Sequence, residues 1–552
     1  MKNIRITKRI INLTLVMVLL GSTIISCSDL EIEGTDSIIK DASEAGFQGV
    51  SDPDSFLDNA YNSLRGYIGD QANLYALAEV TTDEQLVPTR GSDWGDNGIW
   101  RQLHQHEWTP EHAFILNVWN QWNTLHFQGA QVLAELTNSN PQQEADAHFL
   151  RALGMWVVLD NFGQVPVRDP QAPLFEDPIV LKGQEAVDQI VSDLNAAIAG
   201  LPAIGPGAGV GDAGAANARP GKEAAKYLLA KVLLNKHIYL GTEPNSADMN
   251  QVVSLVDEIT ASGYGLEEGY FDIFRRELDR ETIWFIPTAV GNRIWNGLHY
   301  NMAPDQTGGG WNGFSTLAEF YDMFEGDPNS NKGTAQGEPL DGQEERRGYV
   351  PAAGVPAGAF PGATDSNNDG FADGSSVGFG FLIDQQFDYD GTALKDRGGN
   401  PLTFKRQFTD GSGNISLINN SETTGIRTIK YNPRYGAFTE HEIFFRYSDA
   451  HLMKAEAMLR SGMDASALVN ELRILRKAQP LGTVTESDLL EERGRELYME
   501  FWRRNDMIRF GEYTRDWSLK APSAVGDETK NLFPIPANQL ILNPNLIQNP
   551  GY

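Results

Sequence analysis

The chain has 552 residues, 41% of them hydrophobic, and a formal net charge of −30. That is enough apolar material for one large core or several smaller ones, and it excludes wholesale disorder. The acidic balance, with no compensating basic stretch, repels phosphate backbones and excludes nucleic acid as a partner.

The chain opens with Lys2, Arg5, Lys8 and Arg9, followed by an apolar run from Ile10 to Ile25. A positive start before an apolar stretch shorter than the ~20 residues of a spanning helix reads as a secretory signal over residues 1–26. It ends in Ile24-Ile25-Ser26-Cys27, and Cys27 is the only cysteine of the chain. The four residues resemble a bacterial lipobox, with isoleucine in place of the usual leucine and small residue. Processing there would leave an acylated Cys27 at the new N-terminus; an ordinary secreted chain with an incidental thiol is the other reading. Losing the four leader cations leaves a charge of about −34. With Cys27 given to lipid there is no disulfide and no thiolate metal site. No second long apolar run occurs, so membrane contact is through the lipid anchor only. Residues 27–50, beginning Ser28-Asp-Leu-Glu-Ile-Glu33, read as a tether.

From residue 51 the pattern turns helical. Phe56, Ala60, Leu64 and Tyr67 put one apolar face on a helix over 54–68, and the same spacing predicts helices over 119–136, 144–162, 185–201, 222–239 and 249–262. A Gly/Ala/Pro run over 205–221 is a loop; its Gly-Lys pair is no phosphate loop, because Glu223 stands where Ser or Thr is needed. Between about 264 and 435 glycine and proline are dense and helical periodicity fades, with extended segments at 283–287 and 425–430. Helices return over 447–461, 465–475 and 487–510, and the X-Pro-rich tail from Leu532 to Tyr552 runs extended. The fold class is mainly α, with helix pairs and short turns in a tetratricopeptide-like stack, although no clean repeat is visible.

Five of the eleven tryptophans fall between Trp94 and Trp122. Trp108, Trp119 and Trp122 sit in or beside helical pattern and read as core. Trp94 and Trp100 differ, since Gly91, Gly95 and Gly98 make their segment a loop. Indole faces stack on the C–H faces of sugar rings, and Arg90, Asp93, Asp96 and Asn97 place donors and acceptors for hydroxyls beside them. Asp365-Ser-Asn-Asn-Asp-Gly-Phe-Ala-Asp373 resembles a calcium loop, in which Asp365, Asn367, Asp369, the Phe371 carbonyl and Asp373 would be ligands. It departs from an EF-hand at Ser376, where the bidentate glutamate belongs, and a solvated acidic turn is the other reading. No cofactor is required, and a structural calcium here would only rigidify. His104-Gln-His106 would put two imidazoles on one face of a strand; without a third ligand these read as structural histidines. With 74 acidic residues, no pair can be singled out for glycoside hydrolysis.

Several segments together resemble the SusD/RagB family of outer-membrane glycan-binding lipoproteins. They are Phe533-Pro-Ile-Pro through Gln548-Asn-Pro-Gly-Tyr552, Glu491-Glu-Arg-Gly-Arg-Glu-Leu-Tyr-Met-Glu-Phe-Trp-Arg-Arg-Asn-Asp-Met-Ile-Arg-Phe-Gly511, Phe445-Arg-Tyr-Ser-Asp-Ala-His-Leu-Met-Lys-Ala-Glu-Ala457, and Phe149-Leu-Arg-Ala-Leu through Phe162-Gly-Gln-Val-Pro166. The resemblance implies about four tetratricopeptide-like helix pairs over roughly 51–262 and 440–552 and a loop-rich ligand-binding region over 264–435, together one domain over 51–552. It implies lipidation at Cys27 and display on the outer membrane. It further implies a SusC-like TonB-dependent transporter as partner, and an oligosaccharide or polysaccharide ligand bound without catalysis. Starch-binding members form an aromatic arc from two separated loops; by that analogy Trp295, Trp311 and Tyr300, from Trp295-Asn-Gly-Leu-His-Tyr300 and Gly308-Gly-Gly-Trp-Asn-Gly313, would complete an arc with Trp94 and Trp100. A binding protein of the same fold for peptides or another nutrient, a surface glycosidase, and a structural lid with a decayed site remain as alternatives.

Overall fold

The computed structural model describes residues 46–173, 175–207, 219–302, 309–334, 339–340, 342–350, 377–388, 391–433 and 439–552. Cys27 with its leader, the tether as far as residue 45, and the calcium-like set Asp365, Asn367, Asp369, Phe371 and Asp373 lie outside the described residues.

The helices begin where the sequence supplies caps. Pro53 opens the helix Pro53–Gly69 directly after Asp52, whose carboxylate accepts the Ser55 N–H at 3.2 Å. A ring lacking an N–H and an acceptor at the N-cap together answer the unpaired donors of the first turn. Asn140 and Gln143 form a reciprocal capping box at the start of Pro141–Phe162, which ends at Gly163 with φ 68°. The helices Ala113–Leu133, Pro141–Phe162, Gly183–Gly200, Lys222–Leu240 and Ser246–Ala261 each pack on the next in chain order, and the last meets Tyr447–Arg460. This is the stacked helix-pair architecture the periodicity predicts. The first two of these approach closely at Gly154, where a Cβ would lie 2.8 Å from the His126 nitrogen. Trp108, Trp119 and Trp122 are buried in the core between the elements. Among the described residues no helix is long and apolar enough to cross a membrane.

The middle of the chain folds as small antiparallel sheets. Thr282–Ile286 pairs with Glu442–Arg446, and Phe379–Leu382 lies between Arg427–Ile429 and Gly348–Tyr349. Gln85–Leu86 pairs with Ser315–Thr316, which ties the first glycine-rich loop to the second.

The structure departs from the sequence reading in three places. The single helix expected over 487–510 is two, Glu486–Leu497 and Arg503–Arg509. Between them Met499 and Phe501 take φ 62° and 75°, because their N–H groups donate to the buried Glu84 and Glu79 carboxylates at 2.7 and 2.6 Å. His104-Gln-His106 is not a strand: the helix Ile99–Gln105 ends at His106 in a left-handed cap, and the two rings bond the Ser518 and Thr81 carbonyls. The tail contains a short helix, Ala537–Leu542, within its extended run. No group of three or more metal-ligating side chains occurs among the described residues.

Candidate functional site

The first loop turns sharply at Arg90 and Asp93, whose backbone groups exchange two 2.9 Å hydrogen bonds. Trp94, Asp96 and Asn97 then take φ of 59°, 36° and 54° before the helix at Ile99. Left-handed backbone at three non-glycine residues in a row of four is costly, and such strain concentrates at ligand sites. Its effect here is directional: Trp94 stays half-buried at the surface while Trp100 turns inward.

The second loop carries Trp311. Residues 310–314 lie along 295–299 through hydrogen bonds from Gly310 N to His299 O (3.0 Å), Trp311 N to Trp295 O (2.5 Å), Asn312 N to Leu298 O (2.8 Å) and Phe314 N to Asn296 O (2.9 Å). The chains come so close that a Cβ on Gly310 would collide with the Leu298 carbonyl. Behind them lie two buried guanidinium groups. Arg90 donates to the Asn312 carbonyl (2.7 Å), Ser421 O (2.8 Å), Thr424 Oγ1 (2.6 Å) and Ser315 Oγ (2.9 Å). Arg427 donates to Asn312 Oδ1 (2.7 Å), Ser315 Oγ (3.0 Å) and the Glu422 carbonyl (2.9 Å). All these acceptors are neutral, and burial pushes the Arg90 guanidinium down to about 9, leaving it charged at neutral pH. With its backbone fixed on both sides, the Trp311 indole stands 64% exposed. Trp94 supports it from behind, donating from Nε1 to the Trp311 carbonyl at 2.7 Å and packing edge-on to Trp100 and Phe314.

A polar rim borders these tryptophans. The Tyr300 hydroxyl donates to Asp93, and the Arg397 guanidinium lies over the Tyr300 ring at 3.8 Å. Arg397 donates from Nε to Glu422, which also meets His299 Nε2 at 3.0 Å, and Arg397 stands 3.6 Å from Asp93. Partial burial pushes the Glu422 carboxyl up, but the bonds from Arg397 and His299 outweigh it and hold the group below the usual carboxylate range. Burial pushes His299 down to about 4, against the pull of Glu422, so its ring is neutral at neutral pH. The rim is thus an ionised, internally paired edge.

The structure brings Asp93, Trp94, Asp96, Asn97, Trp295, Tyr300 and Trp311 together around this one surface. Asp96 and Asn97 are exposed on the rim of the first loop, and Trp295 is half-buried, its backbone carbonyl accepting the Trp311 N–H and its ring lying beside Gly291. Two residues expected to face a ligand do not. Arg90 is 3% exposed, its donors spent on the loop backbone, and Trp100 is 4% exposed, packed on Phe114 and Phe314 with its Nε1 donating to Asp96. Tyr300 offers less ring than expected because Arg397 covers one face. Arg397, Glu422 and Arg427 were not singled out from the sequence. The signal for Arg397 was available in part: Asp396-Arg-Gly-Gly-Asn400 is a hairpin-tip pattern.

Residues 280–552 match the SusD family. The starch-binding protein SusD of Bacteroides thetaiotaomicron is 26% identical over 523 residues, covering 88% of this chain and 86% of that protein. Among solved structures, a SusD-like protein from Bacteroides fragilis superposes with a TM-score of 0.62 at 18% identity, covering 94% of this chain and 100% of that one. Surface glycan-binding protein A from Bacteroides uniformis gives 0.61 at 19% identity over 90% and 98% of the two chains. A laminarin-binding SusD-like protein gives 0.58 at 21% identity over 92% and 100%.

Proposed function

Because the chain belongs to the SusD family, we propose that it is a cell-surface lipoprotein, anchored through Cys27, that captures an oligosaccharide or polysaccharide and delivers it to a SusC-like TonB-dependent outer-membrane transporter. The observation that carries the glycan reading is Trp311: a large indole held 64% exposed on a loop that two buried arginines pin at the Asn312 backbone carbonyl and side chain. The indole offers a large flat apolar face, and a side chain carried on a fixed backbone loses little entropy on binding. A flat ring with an ionised hydrogen-bonding edge beside it suits a sugar, which has an apolar face and a hydroxylated rim. The names of relatives, starch-binding and laminarin-binding, support the same class.

The reading assigns no catalytic residue. Asp93 and Glu422 are engaged with Tyr300, His299 and Arg397, which leaves neither as a free acid or base. The test is a glycan array alongside a peptide panel, followed by titration of Trp311→Ala with the best ligand. Burial of such a ring contributes about 1.5–3 kcal/mol, so the substitution should weaken binding by roughly 10- to 100-fold. Binding of peptides and of no glycan would overturn the reading, and so would turnover of a bound glycan.

A further inference from the structure

Resting on the glycan-binding reading above, we propose that Arg397 is the residue that reads the ligand's hydroxyl pattern and so sets which sugar the tryptophan platform accepts. The argument starts from where the arginine is placed. Asp396 to Asn400 form a tight hairpin turn: Asp396 N donates to the Asn400 carbonyl, Gly399 N to the Asp396 carbonyl, and the Asp396 carboxylate accepts the Asn400 N–H at 2.8 Å. Gly399 takes φ 85°, the left-handed position such a turn needs. Arg397 is therefore offered from a rigid tip and not from a floppy loop.

Its guanidinium is then fixed in plane. One face rests on the Tyr300 ring at 3.8 Å, Nε is spent on Glu422, and the Arg397 backbone N–H donates to the other Glu422 oxygen at 3.1 Å. Asp93, at 3.6 Å from Nη2, is beyond hydrogen-bond range. Among the described residues Nη1 and Nη2 have no hydrogen bond, and the side chain is 52% exposed. What remains is a pre-oriented fork of N–H donors at the edge of the platform. A planar fork matches two oxygens side by side, as in vicinal ring hydroxyls, and an ammonium of equal charge does not. Trp311 accepts any sugar ring by its face, whereas a fixed fork distinguishes one hydroxyl arrangement from its epimer. Glu422 binds His299 and its carbonyl receives Asn312 Nδ2 at 3.1 Å, so the fork is registered to the same backbone that displays Trp311.

The experiment uses the purified protein with an array of neutral gluco-, manno- and fructo-oligosaccharides, followed by titration with the best probe and its epimer. Arg397→Lys and Arg397→Met should both melt as the unchanged protein does, because the side chain is half exposed. Each should weaken the best probe by about 5- to 20-fold while changing the epimer little, so that discrimination collapses. Trp311→Ala should weaken both probes alike. Unchanged affinity and epimer ratio in Arg397→Met, with binding lost in Trp311→Ala, would overturn the role of Arg397 and leave the glycan reading standing. Tighter binding in Arg397→Met would also overturn it, making Arg397 a cover over Tyr300. Absence of glycan binding by the unchanged protein would remove both.

Discussion

Trp94 and Trp311 are neighbours with different duties, and the difference is measurable. Trp311 has few contacts to lose, so Trp311→Ala should lower glycan affinity with a melting temperature within about 1 °C of the unchanged protein. Trp94 packs on Trp100, Phe314 and Gly313 and donates to the Trp311 carbonyl, so Trp94→Ala removes both a wall and a support. It should lose stability, by about 2–4 kcal/mol, together with affinity. If thermal melts and titrations show the two variants behaving alike, the division of roles is wrong. Gly310→Ala tests the backbone itself. A methyl group there must push the Trp311 loop off the Leu298 carbonyl, so affinity should fall about tenfold or more although no ligand-contacting side chain has changed. An unaffected titration would show that the loop does not have to be rigid.

At the scale of elements, the turn over 498–502 shows a tertiary contact overriding a local pattern. The helix expected from spacing runs unbroken from Ser487 to Phe510, yet the carboxylates of Glu79 and Glu84, more than 400 residues earlier, capture the N–H groups of Phe501 and Met499. Burial pushes Glu79 up to about 7, and Glu84 is pushed well up by burial and by the charge of Glu79, with Lys430 and Arg503 opposing. Since both values lie above those of the unfolded chain, the folded state holds extra protons. Stability should therefore be full below about pH 4.5 as far as this pair is concerned, and fall as pH rises through about 7. Glu84→Gln removes one of the two charges, so the melting-temperature advantage of the unchanged protein over this variant should shrink between pH 5 and pH 8. A constant difference across that range would mean the pair does not titrate. The same contrast explains what was legible in the sequence. The helices of the stack carry their own apolar stripes, and their bounds fall within three residues of the predicted ones except at Ala113, where the helix expected from residue 119 starts six residues early. Trp94 and Trp311 announced themselves as tryptophans among glycines. The inward turn of Trp100 depends on three left-handed residues and was not legible. Arg397 and Glu422 reach the site from more than 80 residues away by turn geometry that no local period encodes.

On the scale of the whole molecule, the charged motif around Glu491–Gly511 has an unexpected place. Glu496 meets Arg446 and Arg476 at 2.7 and 3.1 Å, Glu492 meets Arg346 and Arg473 at 2.7 and 2.6 Å, and Arg493 joins Asp449 to Asp506; all are buried. Amphipathic reading would assign such a helix to solvent, whereas here the ions link the helical stack to the sheets of the middle region. Buried pairs of this kind contribute little net stability but penalise any other arrangement that leaves one partner alone. The C-terminal tail completes the closure by neutral bonds. Asn549 Nδ2 donates to the carbonyls of Phe162 (3.0 Å) and Phe533 (2.7 Å), while its Oδ1 accepts from Gln164, whose amide also brackets Ile547. Trp108 Nε1 donates to the Tyr552 hydroxyl at 2.6 Å. Asn549→Leu fills the same space but strands the Phe162 and Phe533 carbonyls, and it leaves the Gln164 amide only its bonds to Ile547, a loss of about 1–3 kcal/mol or more. None of these bonds reaches the Trp311 loop, so the variant should melt a few degrees lower while binding glycan with unchanged affinity below its transition. A loss of affinity at a temperature where the variant is folded would show instead that the tail and the platform are one cooperative unit.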